Sequence, residues 1–107
     1  MTQPLPAKPT LKDLQKHLQI TCEENGWDRN SITEVFTLFT EEVGEVAKAI
    51  RKRTGFKGEK VDKGKENLEE ELADVLNYLL EIANRFDINL EDAYRQKHIK
   101  NSKRTWE

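Results

Sequence analysis

Two acidic stretches of this 107-residue chain combine residue types and spacings that suit the chemistry of a bound cation. The first runs over residues 41–45 and reads Glu-Glu-Val-Gly-Glu, and the second runs over residues 69–74 and reads Glu-Glu-Glu-Leu-Ala-Asp. Both lie inside apolar patterns typical of helices, where carboxylates three or four residues apart repel one another. A cation would relieve that repulsion, so the two stretches form one candidate site.

Helical geometry gives the two stretches the same phase. At 100° per residue, Glu42 and Glu45 lie about 80° and about 140° from the centre of their helix's apolar stripe, and Glu71 and Asp74 have the same two offsets. Acidic clusters are usually solvated faces, with pairs such as Glu81 and Arg85 on the surface. The matched phase of two such clusters instead favours facing helices that offer four carboxylates to cations.

The ligand type narrows the choice of metal. Carboxylate oxygens suit Mg²⁺ and also admit Mn²⁺, in sites that share the ion with substrate phosphates. Zinc is disfavoured because the cluster contains neither Cys nor His. A ferritin-like di-iron site would need Glu-x-x-His, and neither His17 nor His98 has a Glu three residues before it.

Four helices are expected to position these carboxylates. Capping residues and apolar spacing predict helices from Thr10 to Asn25, from a capping box at Ser31 to Thr54, from about Lys65 to Arg85, and from Asn89 into the basic tail. No stretch alternates with period two. The sequence therefore predicts an all-α, four-helix bundle-like single domain over residues 10–107, after an extended leader over residues 1–9 that holds all three prolines.

Apolar residues at helical spacing predict the buried faces of the two central helices. The expected core comprises Ile32, Val35, Phe36, Phe39, Val43, Val46, Ala47 and Ile50, then Leu68, Leu72, Val75, Leu76, Leu79, Ile82, Ala83 and Phe86. Leu80 falls off these stripes. Charged residues make up 36% of the chain, so a monomer has little apolar material to bury, and Leu80 is taken as compatible with oligomerisation.

Composition limits partners and location. A net charge of −2 gives no support to a nucleic-acid or membrane-surface partner, although eight Lys or Arg lie between Lys48 and Lys65. The lone Cys22 excludes an intrachain disulfide and fits a reducing compartment. No apolar run approaches the roughly 18 residues that a membrane span needs. The protein is expected to be cytoplasmic.

Three further features have two interpretations each. Trp27 either covers the end of the bundle or offers a stacking surface for a base. The polar loop over residues 55–65, rich in Gly and Lys, is either a solvated linker or a phosphate-facing loop. Lys52 extends the helix face of Glu42 and Glu45 beyond Ala49, and it could meet phosphate or form a charge pair.

The acidic motifs resemble those of the MazG-like all-α nucleoside triphosphate pyrophosphohydrolases, a family that includes the small dCTP pyrophosphatases. That pattern is Glu-Glu-x-x-Glu, a spacer of 25 residues, then Glu-x-x-Asp, and it continues here as Val75 to Tyr78. The resemblance covers roughly Trp27 to Arg104. The acidic motifs are specific, and the remainder matches more loosely.

The resemblance implies an activity and residue roles. It implies that Glu42, Glu45, Glu71 and Asp74 hold Mg²⁺ while a nucleoside triphosphate is cleaved between the α and β phosphates, giving a monophosphate and pyrophosphate. Glu41 could orient or deprotonate the attacking water. Nucleotide-binding roles are implied for three residues of the last helix, Lys97, Asn101 and Arg104. A further such role is implied for Tyr78, an aromatic residue one turn beyond Asp74.

The resemblance also implies a homodimer or homotetramer, and the activity would suit cleansing of the nucleotide pool. The short dCTP-specific members have an aromatic near the end of helix two, whereas this helix ends Arg51-Lys52-Arg53, which leaves the preferred base open. Two other classes stay open: a non-catalytic helical regulator that binds a nucleotide or protein, and a nucleic-acid-binding module that would use the basic loop, Lys57, Lys60, Lys63 and Lys65, and the basic tail.

Overall fold

The computed structural model describes residues 4–61 and 67–104, and every regular element in those ranges is helical. The α-helices are α1 (Leu11–Asn25), α2 (Ile32–Thr54), α3 (Leu68–Arg85) and α4 (Leu90–Ser102), with short 3₁₀ turns at Trp27–Arg29 and Phe56–Gly58. The all-α fold class is confirmed. The division into a leader and one domain stays a prediction, because residues 1–3, 62–66 and 105–107 lie outside the described ranges.

Side-chain caps set the predicted helix starts. The Thr10 hydroxyl accepts a hydrogen bond from the Asp13 N–H, and the Asp13 carboxylate accepts one from the Thr10 N–H, which is a complete capping box. Ser31 accepts from the Glu34 N–H, which gives only the first half of the capping box expected there. Asn89 accepts from the Asp92 N–H and starts α4 as predicted.

The first two helices end where the sequence predicts. Gly26 and Gly55 follow α1 and α2 with φ of 72° and 67°, the left-handed conformation that favours glycine. The α3 helix begins at Leu68, with the Asn67 side chain accepting from the Glu70 N–H, and the predicted start near Lys65 lies outside the described residues. The α4 helix runs into the basic tail as predicted and ends at Ser102, before Arg104.

The chain divides into two compact units. One unit contains α1, α4 and the end of α3 from Leu80 onward. Gln15 of α1 is 7% exposed, and its side-chain amide donates to Asn84 Oδ1 at 3.0 Å and to the Ile88 carbonyl at 2.9 Å. Its amide oxygen accepts from the Leu90 N–H at 2.8 Å. A buried glutamine thus fixes the turn between α3 and α4 to α1.

The other unit, Asn30–Leu79, contains α2 and the first part of α3. Arg53, at the end of α2, pairs with Glu69 in the first turn of α3 at 2.9 Å. Further along α3, carboxylates lie beside Glu42, which is more than two turns back along α2. The two helices of this unit are therefore antiparallel, which agrees with the matched phase of the two acidic stretches.

The inward face of α2 differs from the predicted stripe. Val35 and Ala49 are 1% and 0% exposed, and Glu42, midway between them at seven-residue spacing, is partly buried. The predicted core was wrong at eight positions that are exposed in the chain, with Phe36 59% exposed. These are Phe36, Val43, Ala47 and Ile50 of α2 and Leu72, Leu76, Leu79 and Phe86 of α3.

Leu80 also departs from expectation. It was set aside as an apolar residue off the main stripes, yet it is 1% exposed and is among the most deeply buried side chains described. Because Leu80 is buried within the chain, it no longer counts as an apolar residue that a second copy would cover. The exposed apolar residues of α2 and α3 take that place in the argument for oligomerisation.

Candidate functional site

The inward positions of α2 and α3 carry a carboxylate each. Glu42 shares its face with Val35 and Ala49, which fixes its orientation because both neighbours are buried. Glu71 is partly buried on α3, with Val75 one turn further along and also partly buried. Helical spacing of apolar residues therefore positions two acidic side chains on facing surfaces, where water can reach them only in part.

Three carboxylates converge between the helices. One oxygen each from Glu42, Glu71 and Asp74 lies within 4.8 Å of the others. Glu45 is exposed and falls outside this group of three, but it lines the same open cleft, of about 610 Å³, together with Glu41. The structure thus brings all five predicted acidic residues to one cleft and places three of them in contact range of a single ion.

The cleft is electrostatically unfavourable to the carboxylates that form it. Partial burial, the hydrogen bond and negative charge of Glu42, and the charges of Asp74 and Glu45 raise the pKa of Glu71 above its ordinary value. The Oε2 atom of Glu42 is buried and accepts no hydrogen bond from any residue that the structure describes. A buried oxygen without a donor is costly unless something cationic supplies the missing contact.

A divalent cation fits this donor set. Mg²⁺ and Mn²⁺ prefer oxygen ligands and commonly use a few carboxylates while leaving positions for water and phosphate. Three converging carboxylates, one with a buried oxygen that has no partner, meet that requirement. The open side of the cleft leaves room for a substrate beside the ion.

Gly44 contributes space rather than a ligand. It lies in the interior of α2 and lines the cleft, and a Cβ atom built on it would meet no heavy atom within 4 Å, apart from its own helix's local backbone and chain neighbours. Glycine inside a helix costs about 1 kcal/mol relative to alanine. A site that admits a ligand close to the backbone would account for that cost.

The ion pair between Arg53 and Glu69 joins the end of α2 to the start of α3 and was not anticipated. The hydrogen bond from Arg53 Nη1 to Glu69, and then the guanidinium charge, lower the pKa of Glu69. The two residues are 16 positions apart across the loop, so neither helical spacing nor a short motif could have paired them. By contrast, the Glu81–Arg85 pair expected from i,i+4 spacing is present at 3.3 Å.

The predicted substrate-binding residues lie in different parts of the chain. Lys52 of α2 and Tyr78 of α3 belong to the unit that carries the carboxylates, and both are partly buried. Trp27 belongs to the other unit, where it is 51% exposed and its carbonyl accepts a hydrogen bond from Arg85. Trp27 is therefore half covered and half exposed, and both of its interpretations stay predictions.

The expected ridge on the last helix is incomplete. Lys97 and Asn101 lie one turn apart on α4 and are exposed. Arg104 follows the end of α4, so it does not continue their ridge as i+7 spacing within a helix would require. Its predicted role in binding a nucleotide cannot rest on that alignment.

These features place the chain in a known class. The family model of the MazG nucleotide pyrophosphohydrolase domain matches residues 30–106, which include both acidic motifs and all of α2, α3 and α4. The chain therefore belongs to the MazG nucleotide pyrophosphohydrolase domain family. Membership supports a nucleotide pyrophosphohydrolase activity, in agreement with the prediction from the acidic motifs.

A relative from Bacillus subtilis is similar in sequence and structure. Protein YpjD of strain 168, whose own function is uncharacterised, is 34% identical over 85 residues, which cover 79% of this chain and 77% of YpjD. The crystal structure of YpjD, described as that of a candidate pyrophosphatase, matches with a TM-score of 0.76 and 32% identity, over 89% of this chain and 97% of that one.

Among the described residues, none of the helices has the length and apolar character needed to cross a membrane.

Proposed function

We propose that this protein is a Mg²⁺-dependent nucleoside triphosphate pyrophosphohydrolase, which cleaves its substrate between the α and β phosphates to release a nucleoside monophosphate and pyrophosphate. The observation that carries this proposal is the convergence of Glu42, Glu71 and Asp74, together with a buried oxygen of Glu42 that lacks a donor among the described residues. Family membership supplies the nucleotide substrate class. Mn²⁺ is an alternative ion with the same ligand preference.

In this proposal, Glu42, Glu71 and Asp74 hold the cation, and Glu45 joins them from the exposed side of the cleft. When bound, the ion would screen the negative charge of the phosphates and make an attacking water more acidic. The protein's own contribution is to fix the carboxylates before substrate arrives, since two of them project from the inward faces of packed helices.

Glu41 is proposed to orient the attacking water or accept its proton. It is exposed, lines the cleft next to Glu42, and lies outside the group of three converging carboxylates. An acidic group near the reacting phosphate but not committed to the ion can accept a proton in hydrolysis. Glu41→Gln should therefore keep cation binding while turnover falls.

Contacts to the nucleotide are proposed for six residues. Lys52 and Tyr78 would meet phosphate and sugar or base, and Lys97, Asn101 and Arg104 would contribute from the C-terminal part of the chain. Trp27 would stack on the base. These roles come from the family resemblance and from chemical type, and the base that is preferred is a question for the substrate screen.

Oligomerisation to a homodimer or homotetramer is also proposed. Three apolar residues of α2 at seven-residue spacing share one exposed face, and three leucines do so on α3 within the same unit. Together Phe36, Val43, Ile50, Leu72, Leu76 and Leu79 form what we call the apolar face. Exposed apolar surface of this kind favours a protein partner, and a second copy of the chain would offer the same surface in return.

A cytoplasmic role in cleansing the nucleotide pool stays a prediction.

A screen of ordinary and damaged nucleoside triphosphates with Mg²⁺, scored for monophosphate and pyrophosphate, tests the activity. We expect turnover that EDTA abolishes and that Mg²⁺ restores. Asp74→Asn should retain the helical circular dichroism spectrum and lose turnover. Release of orthophosphate with a diphosphate would contradict the cleavage position, and cation-independent nucleotide binding without any turnover would favour the regulator instead.

A further inference from the structure

The carboxylate of Glu59 lies between two cationic side chains at the end of α2. Its Oε1 atom is 3.6 Å from Arg51 Nε, and its Oε2 atom is 3.9 Å from Lys52 Nζ. One oxygen faces each cation, as an oxygen of a phosphate group would. All three side chains are between one third and one half exposed, so the contacts are open to solvent and to exchange.

The backbone after α2 is shaped to bring Glu59 back over the helix. Gly55 has φ of 67°, and a Cβ atom built there would lie 2.8 Å from the Glu59 carbonyl oxygen and 3.1 Å from Val61 Cγ2. Lys57 and Gly58 also have positive φ, at 54° and 79°. Three left-handed residues within four positions fold the loop onto Gly55, where only a residue without a side chain fits.

The cationic pair lies on the same helix as the carboxylate site. Lys52 follows Glu45 by seven residues, which is about two turns and about 10 Å along α2 on the same face. The Lys52 ammonium lies beside Glu59, at 3.9 Å. An anion that starts at the cleft and extends toward the end of α2 therefore reaches the Arg51–Lys52 pair.

A cavity of about 510 Å³ adjoins the pair and is lined by Lys52, Glu59, Lys60 and Val61. Among the described residues of that lining, Glu59 is the acidic one, and two of the other three are lysines. Without Glu59 the described part of the lining would be cationic and apolar. Its chemistry suits a chain of phosphate groups, which carries more negative charge than one carboxylate and forms stronger charge-assisted hydrogen bonds.

We propose that Glu59 is an internal competitor for the terminal phosphates of the substrate: its carboxylate occupies the Arg51–Lys52 pair in the free protein, and the polyphosphate displaces it. The identity of the ligand as a nucleotide polyphosphate rests on the proposed function. Exposed ion pairs contribute little to stability, so the exchange costs little on the protein side. Only ligands long enough to reach beyond the cleft then displace Glu59.

The test uses inorganic tripolyphosphate in EDTA, with affinity measured by isothermal titration calorimetry on the full chain. Glu59→Gln keeps the shape of the side chain and removes its charge, so it should bind tripolyphosphate about two- to five-fold more tightly than the parent, the range that weak exposed pairs supply. Lys52→Met should bind more weakly, and in that background Glu59→Gln should have a smaller effect. Equal affinities for the parent and Glu59→Gln would overturn the proposal.

Glu34→Gln is the matched control. It makes the same change in net charge on α2, but 17 residues before Arg51, which is about 25 Å away along the helix. We expect it to leave tripolyphosphate affinity unchanged. If it tightens binding as much as Glu59→Gln does, the effect is one of net charge and the competitor role is wrong.

The outcome can be separated from that of the proposed function because tripolyphosphate binding in EDTA needs neither a divalent cation nor turnover. A protein that hydrolyses nucleotides but shows no effect of Glu59→Gln refutes the competitor alone. A protein that hydrolyses none of the nucleotides and still shows the coupled effect of Glu59 and Lys52 refutes the proposed activity while retaining the polyphosphate site.

Discussion

Glu42 and Glu71 project from facing helices so that, with Asp74, each offers one carboxylate oxygen within 4.8 Å of the others, and the Oε2 atom of Glu42 is buried without a donor among the described residues. Carboxylates this close repel one another, which contributes to the raised pKa of Glu71. A divalent cation bound among them would relieve that repulsion and give the buried oxygen a partner. The stability of the protein should therefore depend on cation binding at Glu42 and Glu71, whether or not the protein is catalytically active.

The first prediction concerns this pair. Mg²⁺ should raise the melting temperature of EDTA-treated protein at neutral pH, and at a free concentration about 100-fold above the dissociation constant the gain would be about 2.7 kcal/mol. Glu42→Gln, which preserves shape and removes charge, should lose most of that gain. Differential scanning calorimetry with and without MgCl₂ measures it. Glu34→Gln should respond as the parent does, and an undiminished response of Glu42→Gln would refute the ligand assignment.

The second prediction concerns the buried amide of Gln15. Gln15→Leu should lower the free energy of unfolding by about 1–3 kcal/mol, because it leaves the Leu90 N–H and the Ile88 carbonyl without their partner. Urea unfolding followed by circular dichroism measures the change. Gln19→Leu on the same helix is the control, since Gln19 is exposed and bonds only weakly to Glu23, at 3.5 Å. Equal losses for the two variants would contradict a special role for Gln15.

The third prediction concerns the pH dependence of Cys22. Burial, and next the nearby charge of Glu81, raise the pKa of this thiol from 9.0 to about 11. Because the folded value lies above the unfolded one, its contribution to stability is complete below pH 9 and is lost as the pH rises toward 11. At pH 8 the native thiol should react with a disulfide reagent much more slowly than the same thiol in urea. A native rate equal to the rate in urea would show that Cys22 is accessible.

The helices were predictable because their signals are local. Thr10, Ser31 and Asn89 cap helices that begin within one residue of where capping chemistry places them, and Gly26 and Gly55 end two of them. The carboxylates that converge were also predictable, because seven-residue and three-residue spacing on two helices is enough to align them. These inferences need only the geometry of a single helix.

The rotation of the helices was not predictable from one chain. Phe36 and Val43 fall near the centre of the apolar pattern of α2, yet both are exposed, while Val35 and Ala49 face inward. A helix that has two apolar faces gives a pattern whose centre lies between them. The spacing of apolar residues reflects both faces together. It therefore does not distinguish residues that are buried within the chain from residues that would be buried against another molecule.

Contacts across loops were missed for a related reason. Arg53 with Glu69, and Glu59 with Arg51, join residues on either side of a turn whose path depends on three positive-φ residues. Glycine at positions 55 and 58 signalled a turn, but Lys57 gave no such signal. The charges of the loop indicated a basic stretch, whereas Glu59, an acidic residue within it, folds back to the cations at the end of α2.

The fourth prediction concerns the apolar face. Size-exclusion chromatography with light scattering should give a mass of a dimer or tetramer, and Leu76→Lys should shift it toward the monomer, because a charge would be buried in the interface. Asn77→Lys is the matched control, since Asn77 is the next residue, is exposed, and lies outside the apolar face. The control should keep the parental mass. A monomeric parent at high micromolar concentration would contradict the proposal.

The fifth prediction concerns Gly44, where stability and function should move in opposite directions. Gly44→Ala should raise the free energy of unfolding of the EDTA-treated protein by about 0.5–1 kcal/mol, because alanine is the better helix former and its methyl group would meet no atom within 4 Å beyond the local backbone of its own helix. The same methyl group would project into the acidic cleft, so KM for the nucleotide should rise. Gly26→Ala is the contrasting variant: its φ of 72° makes alanine strained, so that protein should be less stable than the parent. A more stable Gly44→Ala protein with unchanged KM would show that the space beside Gly44 is not used by the substrate.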